Sequence, residues 1–482
     1  MLFPTSIFAL FFAIVFAIHW LTVSRPRIRK AALLLGSLFF YGWWSWKFAL
    51  MLLASSLLNH AVAVWMDRLT DSRARRRAVT LGVAANLLVL GVFKYAGFLV
   101  FHVFVPLAVP VCARLGTTAQ LIHLQEVVLP FIDRIVLPVG ISFYTFQALS
   151  YVVDVYRRKI RPARHVIDFA NYLAFFPQLV AGPIVRAADL LPQMEAMPGL
   201  ETRINTSRAG LFILTGLFKK IVVANWLAEH LADPVFSSPE TYVAADLVLG
   251  VYAYAVQIYC DFSAYSDIAV GCALLLGFTF PFNFNAPYFA GTLQDFWRRW
   301  HISLSSWLRD YLYIPLGGSR CGPARCSANL ILTFFLGGLW HGAAWTFVVW
   351  GLFHGVYLTL ERPFLKRLQS LNRFWGLVAK VWLFQMVCLS WVLFRSSSWT
   401  GVTEMLRGLG RGGASELFGP QAALALLCGF AMQFLDADRA AGLERRIDAL
   451  PPWVQGLTAA AILVIILGVG PQGVAPFIYF QF

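Results

Sequence analysis

Residues 328–360 read ANLILTFFLGGLWHGAAWTFVVWGLFHGVYLTL and contain no Asp, Glu, Lys or Arg. An apolar run this long without charge reads as membrane-embedded. As one straight helix it would extend about 50 Å at ~1.5 Å per residue, against a hydrocarbon core of about 30 Å. It must therefore be strongly tilted or broken. Gly337, Gly338 and Gly342 flank the Trp340–His341 pair and mark the expected break. Two halves of this length are each short for a full crossing, and His341 falls at a bend deep in the protein.

The rest of the chain is of the same kind. Of 482 residues, 59% are hydrophobic and 13% charged, where a soluble domain carries about 25% charged residues. Too few charges remain to coat a globule of this size in water, and lipid demands none. Lys and Arg number 39 against 24 Asp and Glu, a net charge of +15. In a soluble protein that excess would suggest nucleic acid. Here the basic residues gather beside apolar runs: Arg25, Arg27, Arg29 and Lys30; Arg73, Arg75, Arg76 and Arg77; Arg157, Arg158, Lys159, Arg161 and Arg164. That is the pattern of cytoplasmic loops. The seven Cys are scattered, and only Cys321 and Cys326 lie close, so neither a disulfide framework nor a metal site is expected. The first apolar run lacks a basic segment before it, which reads as a retained span rather than a signal peptide.

Apolar runs and basic loops together give a map. Residues 4–23 cross inward, 31–66 form a hairpin of two spans, 78–104 lead out and 136–155 return to the basic loop. The segment 169–185 is short and broken by Pro and Gly, which suits a re-entrant turn. Residues 208–229, 243–260, 376–394, 421–436 and 453–472 supply further spans, and 285–326 is polar enough to lie in the cytoplasm or at the interface. The expectation is an all-α polytopic membrane protein of about 11–13 crossings with both termini outside. No internal repeat or linker divides it, so residues 1–482 are read as a single membrane-embedded domain.

A second stretch departs from a plain bundle. In LQDFWRRWHISLSSWLRDYLY (293–313), a helical wheel puts Leu293, Phe296, Trp297, Trp300, Leu304, Trp307, Leu308 and Tyr311 on one face. Asp295, Arg298, Arg299, Ser305 and Arg309 lie opposite. This reads as an amphipathic helix in the membrane plane. His301 falls between the faces, where it and the arginines can rim an opening for an anionic donor.

Ionisable side chains inside the membrane mark function by default, which singles out His341. A buried histidine can equally be structural. His354, thirteen residues on, points ~220° away on an unbroken helix and is assigned that role. No nucleophile elbow, P-loop, dinucleotide fingerprint or H-E-x-x-H motif occurs. An imidazole kept neutral by burial suits general-base work. It can take the proton of a hydroxyl that attacks a thioester, a reaction that needs alignment and exclusion of water but no metal.

Longer patterns carry a resemblance. FNFNAPYFAGTLQDFWRRWHISLSSWLRDYLYIPLGGSR (282–320) and GGLWHGAAW (337–345) resemble the membrane-bound O-acyltransferase family, in the bacterial branch that modifies cell-envelope polymers. LPVGISFYTFQALSYVVDVYR (137–157), LVAGPIVR (179–186), YCDFSAYSDIAVG (259–271), WVLFR (391–395) and PFIYFQF (476–482) agree, so the likeness covers nearly the whole chain. The resemblance implies a ring of spans around a thinned central tunnel. It implies a catalytic histidine at His341 and a second signature position at His301. Arg298, Arg299, Trp340, Trp345 and Asn283 are expected along the donor side or the tunnel.

The implied reaction moves an acetyl group from acetyl-CoA in the cytoplasm across the bacterial inner membrane. It serves O-acetylation of an exported polysaccharide, alginate-like or cellulose-like, with periplasmic acetyltransferase partners and without metal or nucleic acid. D-alanyl transfer to teichoic acid is the alternative within the family. A glycan or lipid transporter is the alternative outside it, against which stand the lack of repeat symmetry and of carboxylates in 328–360. In the C-terminal tail, Tyr479 is open to two readings, an interfacial anchor or a relay of the acyl group towards a partner.

Overall fold

The charge-free stretch folds as two helices, Pro323–His341 and Trp345–Glu361, that turn back on one another. A Cβ on Gly338 would strike the Phe347 carbonyl, and one on Gly351 the Phe334 carbonyl. The two backbones are thus in direct contact, the small-residue packing that joins helices in lipid. The expected break is present, but only Gly342 sits at it, with an extended backbone at φ −158°. Gly337 and Gly338 lie inside the helix, and Gly338 serves the contact.

The computed structural model describes residues 1, 3–115, 117, 123, 126, 128, 130, 132, 134–434, 437–469 and 477–478, and all regular structure among them is helical. Six helices among them are long and apolar enough to cross a membrane: Trp46–Arg68, Ser72–Leu115, Thr206–Ser237, Ala244–Leu275, Arg373–Arg395 and Pro452–Val469. Pro420–Phe434 and Arg439–Asp448, bent by 86°, add a seventh candidate. The other expected crossings fall on shorter helices, Ser6–Leu21 and Ile141–Tyr156 with 16 residues each and Pro26–Gly42 with 17, and on the hairpin. Sixteen residues reach ~24 Å, less than the ~30 Å core, so such helices suit a thinned region.

Burial separates centre from rim. The apolar window of Ala244–Leu275 is 83% buried, while that of Ser72–Leu115 is 0% buried. The first is a central helix and the second an outer wall. Outward-facing Ile7, Leu10, Ile14, Leu88, Val464 and Ile465 are all exposed, a surface that lipid accepts without penalty. Inside the wall, every residue from 168 to 185 is buried, in the short helices Val166–Ala174 and Phe176–Leu179 and the turns beside them. Irregular backbone at this depth is tolerated because protein, not lipid, surrounds it.

The 293–313 stretch corrects the sequence reading. It is not one helix, and its apolar face is covered by protein rather than left free for lipid. Leu293–Arg299 and Ile302–Leu308 are separate helices, with Trp300 extended and His301 left-handed at φ 43° between them. A short backbone pairing draws the chain out of helix: Asn285 N–H donates to the Arg299 carbonyl and Ile302 N–H to the Asn283 carbonyl, each at 2.9 Å. Leu293, Phe296, Trp300 and Leu304 are each at most 2% exposed. The apolar face read from the wheel is real, but it packs against protein.

Candidate active site

His341 is the last residue of its helix. Its ring lies 5.0 Å from Trp340, 5.1 Å from Trp350 and 5.1 Å from Phe394, centroid to centroid. Three aromatic groups therefore define its orientation. The residue is buried, yet it lines a cavity of about 420 Å³. Arg298, Arg309 and Arg362 line the same cavity, and Arg298 and Arg309 are exposed. The cavity thus joins exposed guanidinium groups to a buried imidazole. Ile302, Leu304, Leu308, Thr333 and Gly337 line it too.

His301 lies outside this cavity and is fully enclosed. Its ring is 6.0 Å from that of Trp340, so one indole neighbours both histidines. Phe262 meets it edge-on at 4.6 Å, and Phe143 and Phe284 stack at 6.4 and 6.5 Å. Asn283 fixes its tautomer. The Asn283 Oδ1 accepts from Ser303 N–H at 3.2 Å, a group that can only donate, so this atom must be the oxygen. The other end of the amide donates to Ser266 Oγ at 3.1 Å. His301 Nδ1, at 3.1 Å from Asn283 Oδ1, must then carry the proton. Its Nε2 keeps a lone pair and has no protein partner among the described residues.

The motifs quoted above meet here. Ser303 Oγ accepts from Ile184 N–H at 2.9 Å, and Trp307 Nε1–H donates to the Phe146 carbonyl at 2.9 Å. Trp391 lies 5.1 Å from Trp300. Of the remaining expected residues, Arg299 is ion-paired to Asp295 at 2.9 Å and does not line the cavity. Trp345 is 46% exposed and packs on Phe98 of the outer helix, so it lines neither histidine's surroundings. His354 bonds Ser390 Oγ at 3.2 Å, a structural partner. Tyr479 lies outside the described residues. No group of three His, Cys, Asp or Glu that could hold a metal occurs among the described residues.

Sequence reasoning passed over one feature. Lys94, on the outer helix Ser72–Leu115, donates to the backbone carbonyls of Trp340 and His341. The signal was present, since Lys94 is the one Asp, Glu, Lys or Arg between residues 78 and 104.

Residues 160–398 match the membrane-bound O-acyltransferase (MBOAT) family. The chain is 34% identical, over the full length of both, to the probable alginate O-acetylase AlgI of Pseudomonas putida. It is 39% identical to the probable alginate O-acetylase AlgI of Azotobacter vinelandii, across 83% of this chain and 76% of that protein. It is 35% identical to the peptidoglycan O-acetyltransferase of Helicobacter pylori, across 80% of this chain and 74% of that protein. With its apolar spans and its enclosed histidines, the chain belongs to the membrane-bound O-acyltransferase family and is a multi-pass membrane O-acyltransferase.

Proposed function

We propose that the protein transfers an acetyl group from acetyl-CoA for the O-acetylation of an exported cell-envelope polysaccharide, with His341 as the general base. The observation that carries this reading is the cavity that joins exposed arginines to His341. Guanidinium groups suit the phosphates of a nucleotide-bearing thioester. The apolar lining residues suit its uncharged arm. His341 then stands where the thioester carbonyl would arrive. As the acceptor hydroxyl attacks that carbon, its proton passes to the imidazole, the new C–O bond forms and the C–S bond breaks. The departing thiolate takes the proton back, so the base is regenerated without a metal.

His301 is the second proposed catalytic residue. Its unprotonated Nε2 can accept a hydrogen bond from a neighbouring hydroxyl of the acceptor, other than the one that attacks, and Asn283 holds the ring in that tautomer. The relatives named as O-acetyltransferases of alginate and of peptidoglycan support a polymer destination. In this reading the protein sits in a bacterial inner membrane with its termini periplasmic, and periplasmic acetyltransferase partners carry the group onward.

The test is His341→Ala in cells that export the polymer. Acetylation is expected to fall about 10²–10⁴-fold, the usual contribution of a general base, while unacetylated polymer still reaches the surface. Loss of export with transfer intact would favour transport, and transfer from a D-alanyl carrier but not from acetyl-CoA would reassign the donor. An unchanged acetyl content at normal protein level would remove His341 from the chemistry.

A further inference from the structure

The helix that ends on His341 leaves its last carbonyls without partners from its own backbone. Within a membrane such groups must be satisfied by protein. Two adjacent side chains from the distant Ser72–Leu115 helix do this. Tyr95 OH donates to the Leu339 carbonyl at 2.9 Å. Lys94 Nζ donates to the Trp340 carbonyl and, at 3.3 Å, to the His341 carbonyl. Its third donor reaches Ser142 Oγ at 3.3 Å, which ties the same point to the Ile141–Tyr156 helix. The ammonium also stands 5.6 Å from the centroid of the Trp340 ring.

Three successive carbonyls, those of 339, 340 and 341, are therefore capped from one turn of another helix. A cation at a helix C-terminus is favoured by the helix dipole. A lysine within an otherwise apolar span is nevertheless costly, so a plain packing role explains it poorly. Lys94 is absent from the cavity lining, and its hydrogen bond to His341 goes to the backbone carbonyl.

We propose that Lys94 is a positioning residue for acyl transfer: by capping the turn that carries His341, it holds the imidazole at the inner end of the donor cavity. This rests on His341 being the base. The hairpin turns away at Gly342, whose backbone offers little stiffness of its own. The ammonium supplies that stiffness from three directions.

The experiment measures CoA release from acetyl-CoA in membranes that carry the complete polysaccharide machinery. Lys94→Met is expected to lower the maximal rate about 100-fold, as a ~1 Å misplacement of a catalytic group does, with the acetyl-CoA KM held within about twofold. Lys94→Gln keeps two N–H donors without the charge and is expected to recover only in part, to a maximal rate about three- to tenfold below the parent at unchanged KM. A parent-like maximal rate for Lys94→Met, or a raised KM with the rate unchanged, overturns the proposal. If Lys94→Met does not accumulate, Lys94→Gln decides alone: a lower rate at unchanged KM supports positioning, and a parent-like rate overturns it. His341→Ala separates the two layers. An active His341→Ala sinks the base itself, whereas an inactive one beside an active Lys94→Met sinks only the role of Lys94.

Discussion

The amide of Asn283 sits between a backbone N–H that can only donate and a serine that receives its own N–H. Its oxygen is thereby committed, and with it the proton on His301 Nδ1. Removing the amide frees the ring to place its proton on either nitrogen. Asn283→Ala should therefore lower transfer about 100-fold, within the range expected of acid–base groups. Ser266→Ala, which loosens only the far end of the amide, should cost less. The two variants compared for maximal rate decide this, and an unimpaired Asn283→Ala would show that the tautomer is immaterial. Both histidines and Asn283 were legible in the sequence because they stand inside long, specific patterns. Lys94 was not, because its partners are backbone carbonyls 246 and 247 positions away, at Trp340 and His341. Charge in a span can be seen from sequence, but what it binds cannot.

At the level of elements, the hairpin depends on what its glycines lack. A methyl group on Gly351 meets the Phe334 carbonyl, which is backbone and cannot rotate aside. Gly351→Ala should destabilise the protein by about 1–3 kcal/mol, the usual cost of overpacking, measured as earlier thermal unfolding in detergent. Gly376→Ala, at a glycine with open space around it, is the control that should change little. The break could be foreseen, since an unbroken helix of that length would have to tilt strongly to fit the membrane; that the two halves turn back on one another could not. Nor could the interruption at His301. Periodicity registers which side chains share a face, and Leu293, Phe296, Leu304 and Trp307 do share one across the two short helices. It does not register the pairing of 283–285 with 299–302, which pulls two residues out of helix without disturbing that face. Nor does apolarity alone tell a lipid-facing helix from one sealed inside protein.

Across the whole molecule, solvent-reaching arginines and a buried base line one cavity. Contacts there should divide accordingly between binding and chemistry. Arg298→Gln and Arg362→Gln should each raise the acetyl-CoA KM about tenfold, as loss of a charge-assisted hydrogen bond does, and leave the maximal rate unchanged. The effect should shrink at high salt. Arg299→Gln should leave KM alone, because Arg299 already pairs with Asp295 away from the cavity. A fall in maximal rate at constant KM for the first two would break that division.

An electric field sees this arrangement differently from a substrate. A cavity that opens beside Arg298 and Arg309 and closes at His341 leaves less low-dielectric material behind it than a solid bundle would. The rings of Trp340, Phe143, Phe262 and Phe284 close around His301, which is itself fully enclosed, so no continuous file of water passes beside it. At about 2.3 kcal/mol per elementary charge for each 100 mV, a proton slipping past those rings would discharge the membrane. The aromatic layer that orients His301 is therefore also electrical insulation, and a gap opened in it would turn a transferase into a leak.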